Sequence, residues 1–273
     1  MFDEDHVFYR YKYLPLDEGS LKTLTEGTIK FTCPLAFNDP FDCMPYYETS
    51  RIHKLNEHHP DLLKAIGDSK GLSPAKRIQQ KGPIFSKLKR GLENGSFARK
   101  IMADVGVVSL SKNALSILMW SHYADFHKGM VLEFRIPFMG IEADAKYNVN
   151  RLLPFPVDYL PDRPRLDLSE VTKFDSVKKL VLTKSEIWKY EDEERVIDHT
   201  RPPGIYSYNR DEILCTVIAG LKMTADNFEH LDKIVKNLAS TCIPNLRLFK
   251  ATEKNDAYEL EVQNHPRLGV DNP

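Results

Sequence analysis

A chain of 273 residues with 42% hydrophobic content has enough apolar material for one substantial core and needs no disulfide staples. Its 38 Lys+Arg against 39 Asp+Glu leave a net charge of −1, so neither a global basic field nor an acidic tail selects the partner. The start, Met1-Phe2-Asp3-Glu4-Asp5, is acidic where a secretory signal is basic and then apolar, and no run approaches the roughly 18 apolar residues of a membrane span. We therefore expect a cytoplasmic protein with no membrane partner. Cys33, Cys43, Cys215 and Cys242 contain no C-x-x-C pair, which argues for reduced thiols rather than a zinc knuckle or redox motif.

Val7 to Tyr13 alternates aromatic and basic side chains, so it reads as a strand with Arg10 and Lys12 on one face. Leu16 to Gly27 reads as a short helix ended by glycine, and Thr28 to Cys33 as a second strand. Pro34 to Asp42 is too rich in proline and Asx residues for regular structure, and we expect a structured loop with Phe37 and Phe41 packed inward. Residues 51–104 carry helical patterning interrupted at Gly82-Pro83; positions 51–100 hold twelve Lys+Arg against four Asp+Glu, so basic charge is concentrated there.

Further along, Gly106 to Ser111 reads as a buried strand, Ala114 to Ala124 as a helix and Met130 to Phe134 as another strand. Ser169 is placed to cap a helix carrying Val171, Phe174, Val177, Leu180 and Val181, and Trp188 to Ile197 reads as a turn and strand. Leu214 to Ala219 reads as an apolar strand, Thr224 as the cap of a helix with Phe228, Leu231, Val235 and Leu238, and Tyr258 to Val262 alternates. The pattern predicts one α+β domain over 1–273: a mixed, mainly antiparallel central sheet with flanking helices and a basic helical insertion over 51–104. No glycine-rich phosphate loop is present.

Several polar residues admit two readings. Glu191 to Glu194 reads either as a solvated acidic turn or as part of a site. Arg10 and Lys12 read either as the solvent face of an edge strand or as a phosphate clamp. Asn38 and its loop order their own backbone or supply hydrogen bonds to a ligand. His122 and Tyr123 line a cleft or pack a helix end; His127 lies five positions from His122, so a metal pair requires the helix to stop between them. The basic insertion reads as a solvated hairpin or a nucleic-acid contact, with only Phe85 and Phe97 available to stack on bases.

Four segments together resemble the bacterial domain of unknown function 2971 family: Phe8 to Lys12, Phe37 to Asp42, Met119 to Asp125 with His127 and Gly129, and Trp188 to Arg195. Glu194 stands where that pattern leads us to expect tryptophan, a departure that a surface-facing position would tolerate. The order Arg10, then Ser109-x-Ser111, then Glu191-x-Glu193 also resembles the Arg, Ser-x-Ser, Glu-x-Glu branch of ADP-ribosyltransferases. That resemblance implies an ADP-ribosyltransferase-like fold and NAD as substrate, with no metal. It implies that Glu193 stabilises the oxocarbenium-like ribose and Glu191 serves the acceptor. Arg10 would clamp the diphosphate, Ser109 and Ser111 orient the reacting groups, and Tyr9 or Tyr11 stack on nicotinamide, with Asn38, His122 and Tyr123 as further lining. Such a protein would be a toxin or phage-defence effector acting on nucleic acid or protein. Two other classes remain: a metal-dependent nuclease using Asp39, Asp42, His122 or His127, and a non-enzymatic sensor or partner-binding module.

Overall fold

The computed structural model describes residues 7–55, 60–138, 145–168 and 179–268. The chain divides into two compact units, one built from the chain up to Thr32, Gly106–Pro156 and Trp188 onward, the other from Cys33–Val105 and Val157–Ile187. The first holds a seven-stranded sheet of β1 (Val7–Leu14), β2 (Gly106–Ser111), β3 (Met130–Pro137), β4 (Phe155–Pro156), β5 (Glu193–Asp198), β6 (Leu214–Ala219) and β7 (Arg247–Lys250). Their order is β7-β6-β3-β1-β2-β5-β4, antiparallel except between β6 and β7. The sheet is thus mixed and mainly antiparallel, in an α+β molecule. β1 is an interior strand, which overturns the edge-strand reading of Arg10 and Lys12.

Alternation assigns the two faces. Met130, Leu132, Phe134 and Ile136 of β3 enter one core with Val108 and Leu110, together with Leu24 of α1 (Glu18–Thr25). The opposite face takes Tyr11, Tyr13, Val131 and Ile218, covered by Trp120 of α2 (Ile117–Tyr123) and by Leu260 and Val262. Thr224 caps α3 (Ala225–Thr241) by accepting from the Asn227 N–H, and Leu231, Val235 and Leu238 enter the first core as their spacing implies.

Some elements are shorter than their patterns. The strand expected to reach Cys33 ends at Phe31, and Thr32 forms a single bridge to Val107. The helix expected over Ala114–Ala124 begins at Ile117, because Ser116 accepts from the Met119 N–H and so starts the helix there. Of Tyr258 to Val262 only Leu260–Glu261 pairs. The helix expected after Ser169 lies largely outside the described residues, although Leu180 and Val181 are buried.

In the second unit, helices span Pro60–Ser69, Pro74–Gln79, Lys81–Glu93 and Ser96–Met102. The helical run breaks at Gln80, close to the expected interruption; Gly82-Pro83 fall just after the break, in the first turn of Lys81–Glu93, where the missing N–H of Pro83 has no intrahelical partner to lose. Short parallel ladders join Tyr46–Tyr47 to Arg165–Leu166 and Asp158–Leu160 to Thr183–Ser185. Tyr47, Leu92, Ala98 and Leu166 form a buried apolar cluster in this unit.

Candidate functional site

Three strands distant in sequence place their polar residues side by side. Tyr11 of β1 is the cross-strand partner of Ser111 of β2, and Ser111 is the partner of Glu193 of β5, so the three share one face in one row. Glu193 is buried at 4% exposure, and Arg195, two residues on and on the same face, is fully buried. The guanidinium forks onto the carboxylate, Nε to Oε1 at 2.9 Å and Nη2 to Oε2 at 3.1 Å, a charge-assisted geometry that favours the ionised acid.

Glu191 is also buried. Tyr123 donates to its Oε1 at 2.7 Å, and the Ser111 hydroxyl donates to its backbone carbonyl at 2.6 Å. Between the glutamates, Asp192 adopts φ 45°, a left-handed position that converts the 3-10 turn Glu186–Glu191 into β5, and Lys112 pairs with its carboxylate at 2.7 Å. The stretch Glu191 to Glu194 is therefore no solvated acidic turn: three of its four acids are buried and each is engaged by a specific partner.

Arg10 lies on the other face. Its Nε and Nη2 donate to Glu194 Oε2 and Oε1 at 2.6 and 2.9 Å, and Nη1 donates to the Tyr9 carbonyl. Glu194 is thus buried, not surface-facing: it is 6% exposed and neutralises Arg10. Lys12 turns instead toward β2, where its Nζ donates to the Ser109 carbonyl at 2.9 Å. Burial lowers its pKa to about 8, against a smaller upward pull from Glu193.

Sequence reasoning missed a second polar network on the Tyr11 face. Glu133, fully buried in β3, accepts from Tyr11, Thr216 and Arg267 and lies 3.4 Å from His265 Nε2. Burial pushes its carboxyl up, but hydrogen bonds from His265, Arg267 and Thr216 outweigh this and hold it well below the usual range. Burial, then the Glu133 charge, pushes the Cys215 thiol up and leaves it protonated. Arg267 also lies 3.9 Å from the Tyr9 ring centroid, so Tyr9 is covered by a cation. One signal was available: a glutamate inside the apolar run Met130 to Phe134 requires a buried partner.

The remaining candidates are dispersed. His122 is exposed with Nδ1 3.2 Å from the Tyr190 hydroxyl, whereas the His127 ring stacks on Trp120. Asn38 is exposed in the second unit. There Asp39 Oδ1 accepts from the Phe41 N–H, an Asx turn that sends Phe41 outward at 62% exposure rather than inward. Asp39 and Phe41 line a cleft of 320 Å³ with Arg163 and Lys184. Among the described residues no group of three or more His, Cys, Asp or Glu is arranged to hold a metal ion, and no helix is long and apolar enough to cross a membrane.

No family model, curated protein or solved structure matches this chain.

Proposed function

We propose that this chain is an NAD-dependent ADP-ribosyltransferase or NAD-cleaving enzyme with Glu193 at its reacting centre. The observation that carries the reading is the row Tyr11, Ser111, Glu193 on adjacent strands, with the Glu193 carboxylate aligned by Arg195. The chemistry breaks the bond between ribose C1′ and the nicotinamide nitrogen. The electron pair leaves with nicotinamide, and positive charge develops on the ribose. A fixed carboxylate stabilises that charge more than the ground state. Water or an acceptor hydroxyl then bonds to C1′ and loses its proton. In this reading Glu191, aligned by Tyr123, receives that proton, and Ser111 braces the Glu191 backbone. Arg10 serves a positioning role, since Glu194 already occupies its fork and ties β1 to β5.

The test is nicotinamide release from NAD by the purified chain, in chelator, with and without DNA, RNA or cell lysate. Glu193→Gln abolishes release in this reading while thermal unfolding stays cooperative; undiminished release by that variant removes Glu193 from the centre.

A second reading rests on the basic helices of the second unit. Lys76, Lys81, Lys87, Lys89, Arg90, Arg99 and Lys100 are all exposed. Phe85 is buried and Phe97 packs edge-on against Tyr47, so neither ring is presented for base stacking. Any nucleic-acid contact here is to phosphates, indifferent to sequence and weakened by salt.

A further inference from the structure

Two segments of the second unit run side by side. The Tyr46 N–H donates to the Pro164 carbonyl at 3.0 Å, Tyr46–Tyr47 pairs with Arg165–Leu166, and Arg163 Nε donates to the Met44 carbonyl at 2.8 Å. On the first segment the Asx turn at Asp39 and a bond from the Met44 N–H to the Phe41 carbonyl at 3.2 Å fix the loop with Phe41 outward. Phe41 is 62% exposed and Tyr46 51%. On the second segment the Arg163 guanidinium lies 5.7 Å from the Phe41 ring centroid, and that of Arg165 lies 5.8 Å from the Tyr46 centroid. Two aromatic–guanidinium pairs thus stand in tandem, both open to solvent. Neither arginine forms a salt bridge among the described residues, so each keeps its charge for a ligand.

Phe41 and Arg163 line the 320 Å³ cleft, whose apolar walls include Met44, Leu160 and the 72%-exposed Ile187. That volume admits a planar heterocycle. Asp39 and Asp162 line it too, and their charge disfavours a phosphate inside. Asp39 Oδ1 is held by the Phe41 N–H, whereas Oδ2 has no hydrogen-bond partner among the described residues and suits the amino group of a base. Phosphates have a separate place in the same unit: the basic helix Lys81–Glu93 packs against Tyr46–Tyr47. We infer that this face binds a single-stranded nucleic acid, stacking bases on Phe41 and Tyr46 while the arginines and the basic helices meet its backbone. The inference deepens the nucleic-acid reading above, in which the helices alone meet only phosphates, and is independent of NAD cleavage. A single strand is required because a duplex keeps its base faces stacked on one another. Every base has such a face, so recognition tolerates sequence.

The experiment is fluorescence anisotropy of labelled single strands of about 12 nucleotides, RNA and DNA of one mixed sequence, and of the matching duplex, at about 50 and 200 mM salt. Phe41→Ala and Tyr46→Ala change exposed side chains, and thermal unfolding confirms that each variant folds. The wild type is expected to bind a single strand at least about tenfold tighter than the duplex, and each alanine to weaken single-strand binding about tenfold by loss of one stacked base. Phe41→Trp, which keeps a stacking face, retains wild-type affinity. Salt weakens binding overall but leaves the alanine factor in place, since stacking releases no counter-ions. Binding of either polymer in this manner supports the face, and the tighter one names its source. Salt-sensitive binding that is equal in the wild type and both alanine variants keeps the phosphate contact of the helices and overturns the stacking face. Equal affinity for single strand and duplex also overturns it, and no binding at the lower salt removes both. None of these outcomes depends on nicotinamide release.

Discussion

Buried charge dominates at the residue scale, and each instance has a measurable consequence. Lys12 has a folded pKa of about 8, below the ordinary 10.5, so between these values the folded protein binds fewer protons than the unfolded chain. Stability therefore rises with pH across that window, and the residue weakens the fold below it. Lys12→Met is expected to stabilise the protein at neutral pH by on the order of 2 kcal/mol and to flatten the rise from pH 8 to 10.5, as measured by urea unfolding. Arg10 and Glu194 form the opposite case, a matched pair at 12% and 8% side-chain exposure. Glu194→Ala strands a guanidinium and should cost about 3–5 kcal/mol, whereas replacing both partners with apolar residues should cost far less. A double-mutant cycle by thermal unfolding separates the two. Neither contact was legible in the sequence, because Arg10 and Glu194 lie 184 positions apart and Lys12 and Ser109 97 apart, and a local pattern reports a strand's alternation but not its neighbours.

Elements were legible where their pattern is local. The alternation of Val7 to Tyr13, the apolar runs of β2 and β6 and the Thr224 cap each produced the element their residues imply. The turn after α2 was not legible. Asp125, Phe126 and His127 are consecutive left-handed residues, at φ 45°, 51° and 71°, a conformation that no non-glycine sequence announces. Close backbone packing enforces it: His127 N–H donates to the Trp120 carbonyl at 3.1 Å and Gly129 N–H to the Ala124 carbonyl at 2.8 Å. A methyl group at Gly129 would stand 2.2 Å from the Leu14 carbonyl oxygen. Gly129→Ala should therefore lower stability by more than about 2 kcal/mol, with calorimetry as the check. The strap carrying His265 and Arg267 answers to Glu133. With its folded pKa depressed, Glu133 contributes stability that is complete above the unfolded value of 4.5 and lost as pH falls below it. Glu133→Gln should destabilise at neutral pH and remove much of that acid dependence, as followed by unfolding at successive pH values.

Across the whole molecule, composition and periodicity were enough for the α+β class and the mixed sheet. The division into two units was not readable, since the second draws on 33–105 and 157–187 and is joined by ladders of two and three residues. Such short parallel pairings leave no periodic trace. The row of Tyr11, Ser111 and Glu193 was readable in part: residue order suggested that three segments meet, but strand parity puts Arg10 on the face away from Glu193. In the proposed reading Glu193 supports cleavage of NAD. Nicotinamide release in chelator by wild type and Glu193→Gln, with folding of both verified by thermal unfolding, tests this. We expect release by the wild type, stimulated by its acceptor, and none by the variant. No release by the folded wild type under any condition, or equal release by both proteins, would contradict it.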